Sequence, residues 1–90
     1  MLGDSLREIG ERAFYACPEL EVVSFPNSLC IIGASAFEGC SKLARISIPD
    51  STTYLGENAF ANTAITEVRL PDQFRKNPPI HAFDADVAFI

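Results

Sequence analysis

The 90-residue chain has no tryptophan, one methionine and one histidine, and these scarcities narrow its chemistry at once. Zinc sites are built from cysteine pairs at C-x₂₋₄-C spacing or from several histidines. Here Cys17, Cys30 and Cys40 stand 13 and 10 residues apart and His81 is alone, so no metal site is expected. The five glycines never form G-x-G-x-x-G, so there is no phosphate-cradling loop and no cofactor is expected. No apolar run approaches the ~18 to 20 residues needed to span a bilayer. Seven basic residues against twelve acidic ones give a net charge of -5, which repels a phosphate backbone, so no nucleic-acid partner is expected. The first residues, Met1-Leu2-Gly3-Asp4-Ser5, lack a basic start followed by an apolar core and read as neither a signal nor a transit peptide. No Asn-x-Ser/Thr sequon occurs, and an odd cysteine count argues against a disulfide framework.

What the chain does have is 48% hydrophobic residues and 21% charged ones, a balance that folds. Ninety residues suffice for one core and not for two, so residues 1–90 are expected to form a single domain. Self-comparison finds a period of 23. Residues 4–26 overlie residues 27–49 with ten identities, among them Ser5/Ser28, Leu6/Leu29, Gly10/Gly33, Phe14/Phe37, Cys17/Cys40 and Pro26/Pro49. Residues 50–71 form a third copy that keeps Ser51, Gly56, Ala59, Phe60 and Pro71, is one residue shorter between Phe60 and Ile65, and carries Thr63 in place of the cysteine. Residues 72–90 read as a degenerate fourth repeat or a C-terminal cap: Pro78-Pro79 fall where the glycine belongs, and Ala82-Phe83 come one residue late.

Each repeat holds two short alternating segments. Leu20-x-x-Val23-x-Phe25, Leu43-x-x-Ile46-x-Ile48 and Ile65-x-x-Val68-x-Leu70 place apolar residues on one side of a strand, and Pro26, Pro49 and Pro71 end it at a corner. Leu6-x-x-Ile9-Gly10, Leu29-x-x-Ile32-Gly33 and Thr52-x-x-Leu55-Gly56 form the second segment. A glycine at one place in every repeat implies either a positive φ or a backbone approach too close for a Cβ.

A 23-residue coil cannot bury its own apolar face, but coils stacked at the ~4.8 Å strand spacing can, so the expected architecture is a β-rich solenoid with Phe14, Phe37 and Phe60 in one aromatic column. Leu-x-x-Ile-Gly-x-x-Ala-Phe-x-x-Cys-x-x-Leu-x-x-Val-x-Ile-Pro resembles the repeat of the BspA-type leucine-rich repeat family over residues 4–71. The resemblance implies a right-handed solenoid with short parallel strands and short 3-10 or turn segments. It also implies protein recognition and adhesion, in longer arrays at the cell surface.

Against that background Cys17 and Cys40 read as structural thiols in a shared column with Thr63, with a cross-coil disulfide as the alternative. His81, Asp84 and Asp86 are the one set from which a ligand group or a nucleophile and base could be assembled. The set has no oxyanion device and sits in the capping segment, so no enzyme is expected. The outward columns are then the candidate partner-binding residues. On one face Arg7/Cys30/Thr53 and Glu8/Ile31/Tyr54 put Cys30, Ile31 and Tyr54 side by side, unless the apolar tail of Ile80, Phe83, Val87, Phe89 and Ile90 covers them. On the other, Val22/Arg45/Glu67 is polar and mixed, with Arg45 and Glu67 expected to pair. The function expected is a non-catalytic protein–protein interaction module, the alternative a small structural subunit of a larger assembly. Further repeats or a partner subunit are expected over the solenoid ends, since the first coil lacks a polar cap. The compartment stays open: the resemblance implies the cell surface, while unpaired cysteines point to a reducing one.

Overall fold

The computed structural model of the protein describes residues 5–90. Its short strands recur once per coil. β1 (Glu8–Ile9), β2 (Ile31–Ile32) and β3 (Tyr54–Leu55) form a parallel sheet in that order, with Glu8 opposite Ile31 and Ile31 opposite Tyr54. One turn of the solenoid is therefore one 23-residue repeat, and the rest of each coil is the long crossover that parallel pairing requires. β4 (Glu67–Val68) pairs in parallel with β5 (Ala88–Phe89) in a second, two-stranded sheet.

Each strand ends in the same tight turn. The Gly10 carbonyl accepts the Ala13 N–H at 3.2 Å, and Gly33/Ala36 and Gly56/Ala59 repeat the bond at 3.2 Å. The left-handed residue of this turn is the one two places after the glycine: Arg12, Ser35 and Asn58 have φ of 58°, 57° and 59°. Gly33 and Gly56 lie outside the left-handed region, and of the two reasons open for them it is close approach that applies. A Cβ on Gly33 would stand 2.7 Å from the Glu11 nitrogen of the preceding coil. Pro26, Pro49 and Pro71 sit at corners, their carbonyls accepting the N–H of Leu29, Thr52 and Phe74 three residues on.

The interior is layered by coil. Leu29, Ile32, Phe37, Cys40 and Leu43 of the second coil have no exposed surface, and Leu55, Phe60, Ile65 and Val68 continue the layer above. The aromatic column is present: Phe14 stacks on Phe37 at 5.0 Å and Phe37 on Phe60 at 5.2 Å. It is longer than expected. Phe83 stacks on Phe60 at 5.1 Å, and Phe60 and Phe83 are parallel bridge partners. The apparent one-residue delay of Ala82-Phe83 is a return to the 23-residue spacing: the residue lost in the third repeat is regained at the corner near Pro78-Pro79. Corners tolerate such changes because only the stacked rungs must align.

Side chains brace the stack. Ser28 and Ser51 hydroxyls donate to the Leu6 and Leu29 carbonyls of the coil before, at 2.6 and 2.5 Å. Thr52 is fully buried where the first two repeats have leucine, and its hydroxyl donates to the Leu29 carbonyl at 3.0 Å, which removes the penalty of burying it. Gln73 takes the serine's role for the last segment, its amide nitrogen donating to the Asp50 and Thr52 carbonyls at 2.8 and 2.5 Å.

Candidate functional site

Ile31 and Tyr54 are direct partners across β2 and β3, and Cys30 lies next to them. Strand alternation turns them outward because the following residue of each strand, Ile9, Ile32 or Leu55, is buried in the core. Tyr54 is 54% exposed, while Ile31 and Cys30 are half-buried. The C-terminal apolar residues do not cover this face. Phe83 stands in the aromatic column, Val87 is buried, and Phe89 meets Phe83 edge-on at 5.4 Å.

On the other face Val22, Arg45 and Glu67 are all exposed, and Val22 and Arg45 are bridge partners. The expected Arg45–Glu67 ion pair is not formed. The ion pairs among the described residues are Lys42–Glu19 at 3.6 Å and Arg75–Asp72 at 3.4 Å. The reason is the missing residue of the third repeat. Ala64 is tied back to the Leu43 carbonyl, but Glu67 pairs forward with Ala88, so no ladder sets it opposite Arg45. Two exposed side chains gain too little from pairing to bridge such a gap unaided.

Along this face pairing between the first two coils narrows to the single Val22–Arg45 bridge. Among the described residues, Ser24, Phe25, Ser47 and Ile48 make no backbone hydrogen bond to the neighbouring coil. Phe25 turns its ring edge-on to Phe37 at 5.7 Å and to Phe60 at 6.4 Å. What results is an open groove of about 360 Å³ lined by residues 22–25 and 45–47. Val23, Phe25 and Ile46 are half-buried within it, Val22 is 59% exposed at its edge, and Arg45 supplies a cation.

Cys40, His81 and Asp84 are each tied to the backbone of a neighbouring coil. All three cysteines are free. Burial pushes the Cys40 thiol above its ordinary pKa, and the neutral thiol donates to the Phe14 carbonyl at 3.1 Å. His81 and Asp84 face different partners: His81 Nε2 lies 2.8 Å from the Leu55 carbonyl, and the Asp84 carboxylate accepts the Asn62 N–H at 2.9 Å and the Thr63 N–H at 3.4 Å. Among the described residues no three His, Cys, Asp or Glu side chains are grouped to hold a metal ion, and no helix is long and apolar enough to cross a membrane. The roles of Gln73, His81 and Asp84 were missed in the sequence because each replaces a repeat feature by a different chemistry. Ser28 and Ser51 were signalled, since serine recurs there at the repeat spacing.

Parallel strands at a 23-residue repeat around one aromatic column define a leucine-rich repeat solenoid. The model of the BspA type leucine rich repeat region matches residues 1–85 in six copies, and the chain belongs to that family. Its fold is similar to the crystal structure of a leucine-rich repeat protein from T. pallidum, at 39% identity and a TM-score of 0.74 over 78% of this chain and 33% of that one. It is likewise similar in fold to a leucine-rich repeat protein from Bacteroides ovatus, at 22% identity and a TM-score of 0.75 over 92% of this chain and 27% of that one. The chain thus spans about a third or less of the length of these neighbours. No curated protein matches it.

Proposed function

We propose that the protein is a non-catalytic protein–protein interaction module that takes an extended polypeptide segment in the groove between residues 22–25 and 45–47. The observation that carries this reading is the groove itself: a half-buried apolar floor, an exposed Val22, and backbone groups at Ser24 and Ser47 that pair with no neighbouring coil among the described residues. Apolar contacts supply affinity and unpaired backbone groups supply register, the combination by which sheet surfaces recognise extended chains. Arg45 selects a segment with an acidic residue beside its apolar anchor. Leucine-rich repeat families are in general non-catalytic, which is consistent with side chains of catalytic potential being engaged in the fold.

The test is selection of a displayed random-peptide library on the immobilised protein. Peptides pairing an apolar with an acidic residue are expected, with at least tenfold weaker binding to Val22→Asp and Arg45→Glu, about 1.4 kcal/mol. Selected peptides indifferent to both changes would overturn the reading.

A second face is favoured by one observation, the Ile31–Tyr54 pairing with Tyr54 in solvent. Peptides that lose binding to Tyr54→Asp and keep it for Val22→Asp would assign the role to that face. The structural-subunit alternative predicts no selectable peptide at all.

A further inference from the structure

The groove at residues 22–25 and 45–47 is repeated one coil on. The first opening is bounded by the Ala44 N–H on the Glu21 carbonyl at 3.2 Å and by the Ser51 hydroxyl on the Leu29 carbonyl at 2.5 Å. At the next junction the Ala64 N–H meets the Leu43 carbonyl at 2.8 Å and the Gln73 amide meets the Asp50 carbonyl at 2.8 Å, and the strand ends between those two bonds stand apart. Alternation along the backbone explains the gap. Thr66, Val68 and Leu70 turn their backbone groups forward to Ala88 and Ile90, so Arg69 turns its own back toward coil two. Among the described residues neither Arg69 nor Ser47 makes a backbone hydrogen bond. The result is a second opening of about 350 Å³, and Ser47 lines both.

The two openings differ in chemistry. Half-buried Val23, Phe25 and Ile46 floor the first, whereas Ser47, Asp50, Arg69, Asp72 and Arg75 line the second. Arg69 stands where the first two repeats have Ser24 and Ser47. Arg75 is placed by the 3-10 turn of residues 72–74, which its N–H closes on the Asp72 carbonyl at 3.1 Å. Both arginines are exposed. Asp72 Oδ1 lies 3.4 Å from Arg75 Nε, which engages one of the five guanidinium donors. Among the described residues Arg45 and Arg69 form no ion pair. Together the openings hold three of the chain's seven basic residues and two of its twelve acidic ones, on a protein of net charge -5. A lining richer in cations than the rest of the molecule complements an anionic partner.

We propose that the two openings are filled by one acidic, extended segment of a partner protein, with an apolar anchor in the first and a carboxylate held by Arg69 and Arg75 in the second. This rests on the reading of the groove given above and adds the second site and its chemistry. The segment crosses coil two over Ser47, whose small side chain leaves the path low. Successive coils are ~4.8 Å apart, and more where they open, while alternate residues of an extended chain share one face at a spacing of ~6.6 Å. The segment therefore carries acidic residues at alternate positions, the first at Arg45 and the second at Arg69 and Arg75. Asp50 and Asp72 beside the second site repel a doubly charged group, so a carboxylate fits it better than a phosphate.

The probes are synthetic peptides blocked at both ends, with one leucine, a glutamate beside it, serine elsewhere, and a second glutamate moved stepwise away from the first. Affinity is read by fluorescence anisotropy. The peptide with the second glutamate two places on is expected to bind about fivefold tighter than the peptide lacking it. Arg69→Ser, which restores the serine of the first two repeats, and Arg75→Ser are each expected to remove that gain while leaving the single-glutamate peptide unchanged. A single-glutamate peptide that depends on Val22 and Arg45 but gains nothing from the second glutamate would overturn the proposal and leave the groove reading standing. Binding that needs Arg69 and Arg75 but is indifferent to Val22→Asp would overturn the groove reading and the spanning segment with it. A gain equal at every spacing would also overturn the proposal, because long-range attraction would then suffice. So would tighter binding of polygalacturonate that Arg69→Ser abolishes, which would assign the site to a saccharide, or a dimer by light scattering that Arg69→Ser dissociates, which would assign it to a second copy.

Discussion

Pro79 and His81 act as a pair: the proline removes the backbone donor that Gly33 and Gly56 direct at the coil before, and the imidazole Nε2–H restores it, 2.8 Å from the Leu55 carbonyl. Because a carbonyl only accepts, the ring carries its proton on Nε2. One substitution thus ends the repeat pattern while the next coil stays attached.

Replacing His81 with Ala leaves that carbonyl without its donor and is expected to cost about 0.5 to 1.5 kcal/mol. A lowered urea midpoint at unchanged m-value checks it. An unchanged midpoint would mean that water replaces the imidazole at no cost.

Phe37 lies between Phe14 and Phe60, within 6° of parallel to each, and no part of it is exposed. Phe37→Ala is expected to cost about 3 to 5 kcal/mol, comparable to the whole stability of so small a domain. Circular dichroism should find the variant unfolded at room temperature. Phe14→Ala, at the half-buried end of the column, should cost clearly less and retain a cooperative melt.

Thiol titration of the denatured, unreduced protein is expected to find three free thiols, and in the native protein Cys40 should react last. Cys17 and Cys30 are half-buried, Cys30 on an outward column, whereas Cys40 is fully enclosed. Cys30 is expected to react first. A count of one thiol would overturn this and support a Cys17–Cys40 disulfide, which peptide mapping would assign.

The same burial makes stability depend on alkaline pH. Desolvation raises the Cys40 pKa in the folded state, so the folded thiol holds its proton where the unfolded one has lost it. Its contribution is therefore complete below the ordinary thiol pKa and is lost as the pH climbs through the raised value. Urea midpoints measured upward from neutral pH should fall across that window, and Cys40→Ala should lower the neutral midpoint but flatten the fall.

The period of 23, the Phe14/Phe37/Phe60 column and the proline corners were all legible in the sequence. The reason is that a solenoid buries the same side of every coil, so its core must repeat in the chain at the length of one turn. The candidate surface was legible to the same extent: a register that sends Ile32 and Leu55 inward necessarily sends Ile31 and Tyr54 outward. What failed was any inference that needed the third repeat to align throughout, as the Arg45–Glu67 pair did. A shortened corner breaks the numerical register without saying which rung absorbs the change.

Sequence by itself determined the repeat, the family and the residues that face the core, because these follow from side-chain polarity recurring at a fixed spacing. Only the tertiary structure decided that β4 pairs forward with β5, that Phe83 extends the aromatic column, and that a groove opens between Val22–Phe25 and Arg45–Ser47. It also decided why the glycines are there. Whether a missing Cβ answers a left-handed φ or a neighbour's backbone depends on what lies one coil away, and no local pattern of residues contains that distance.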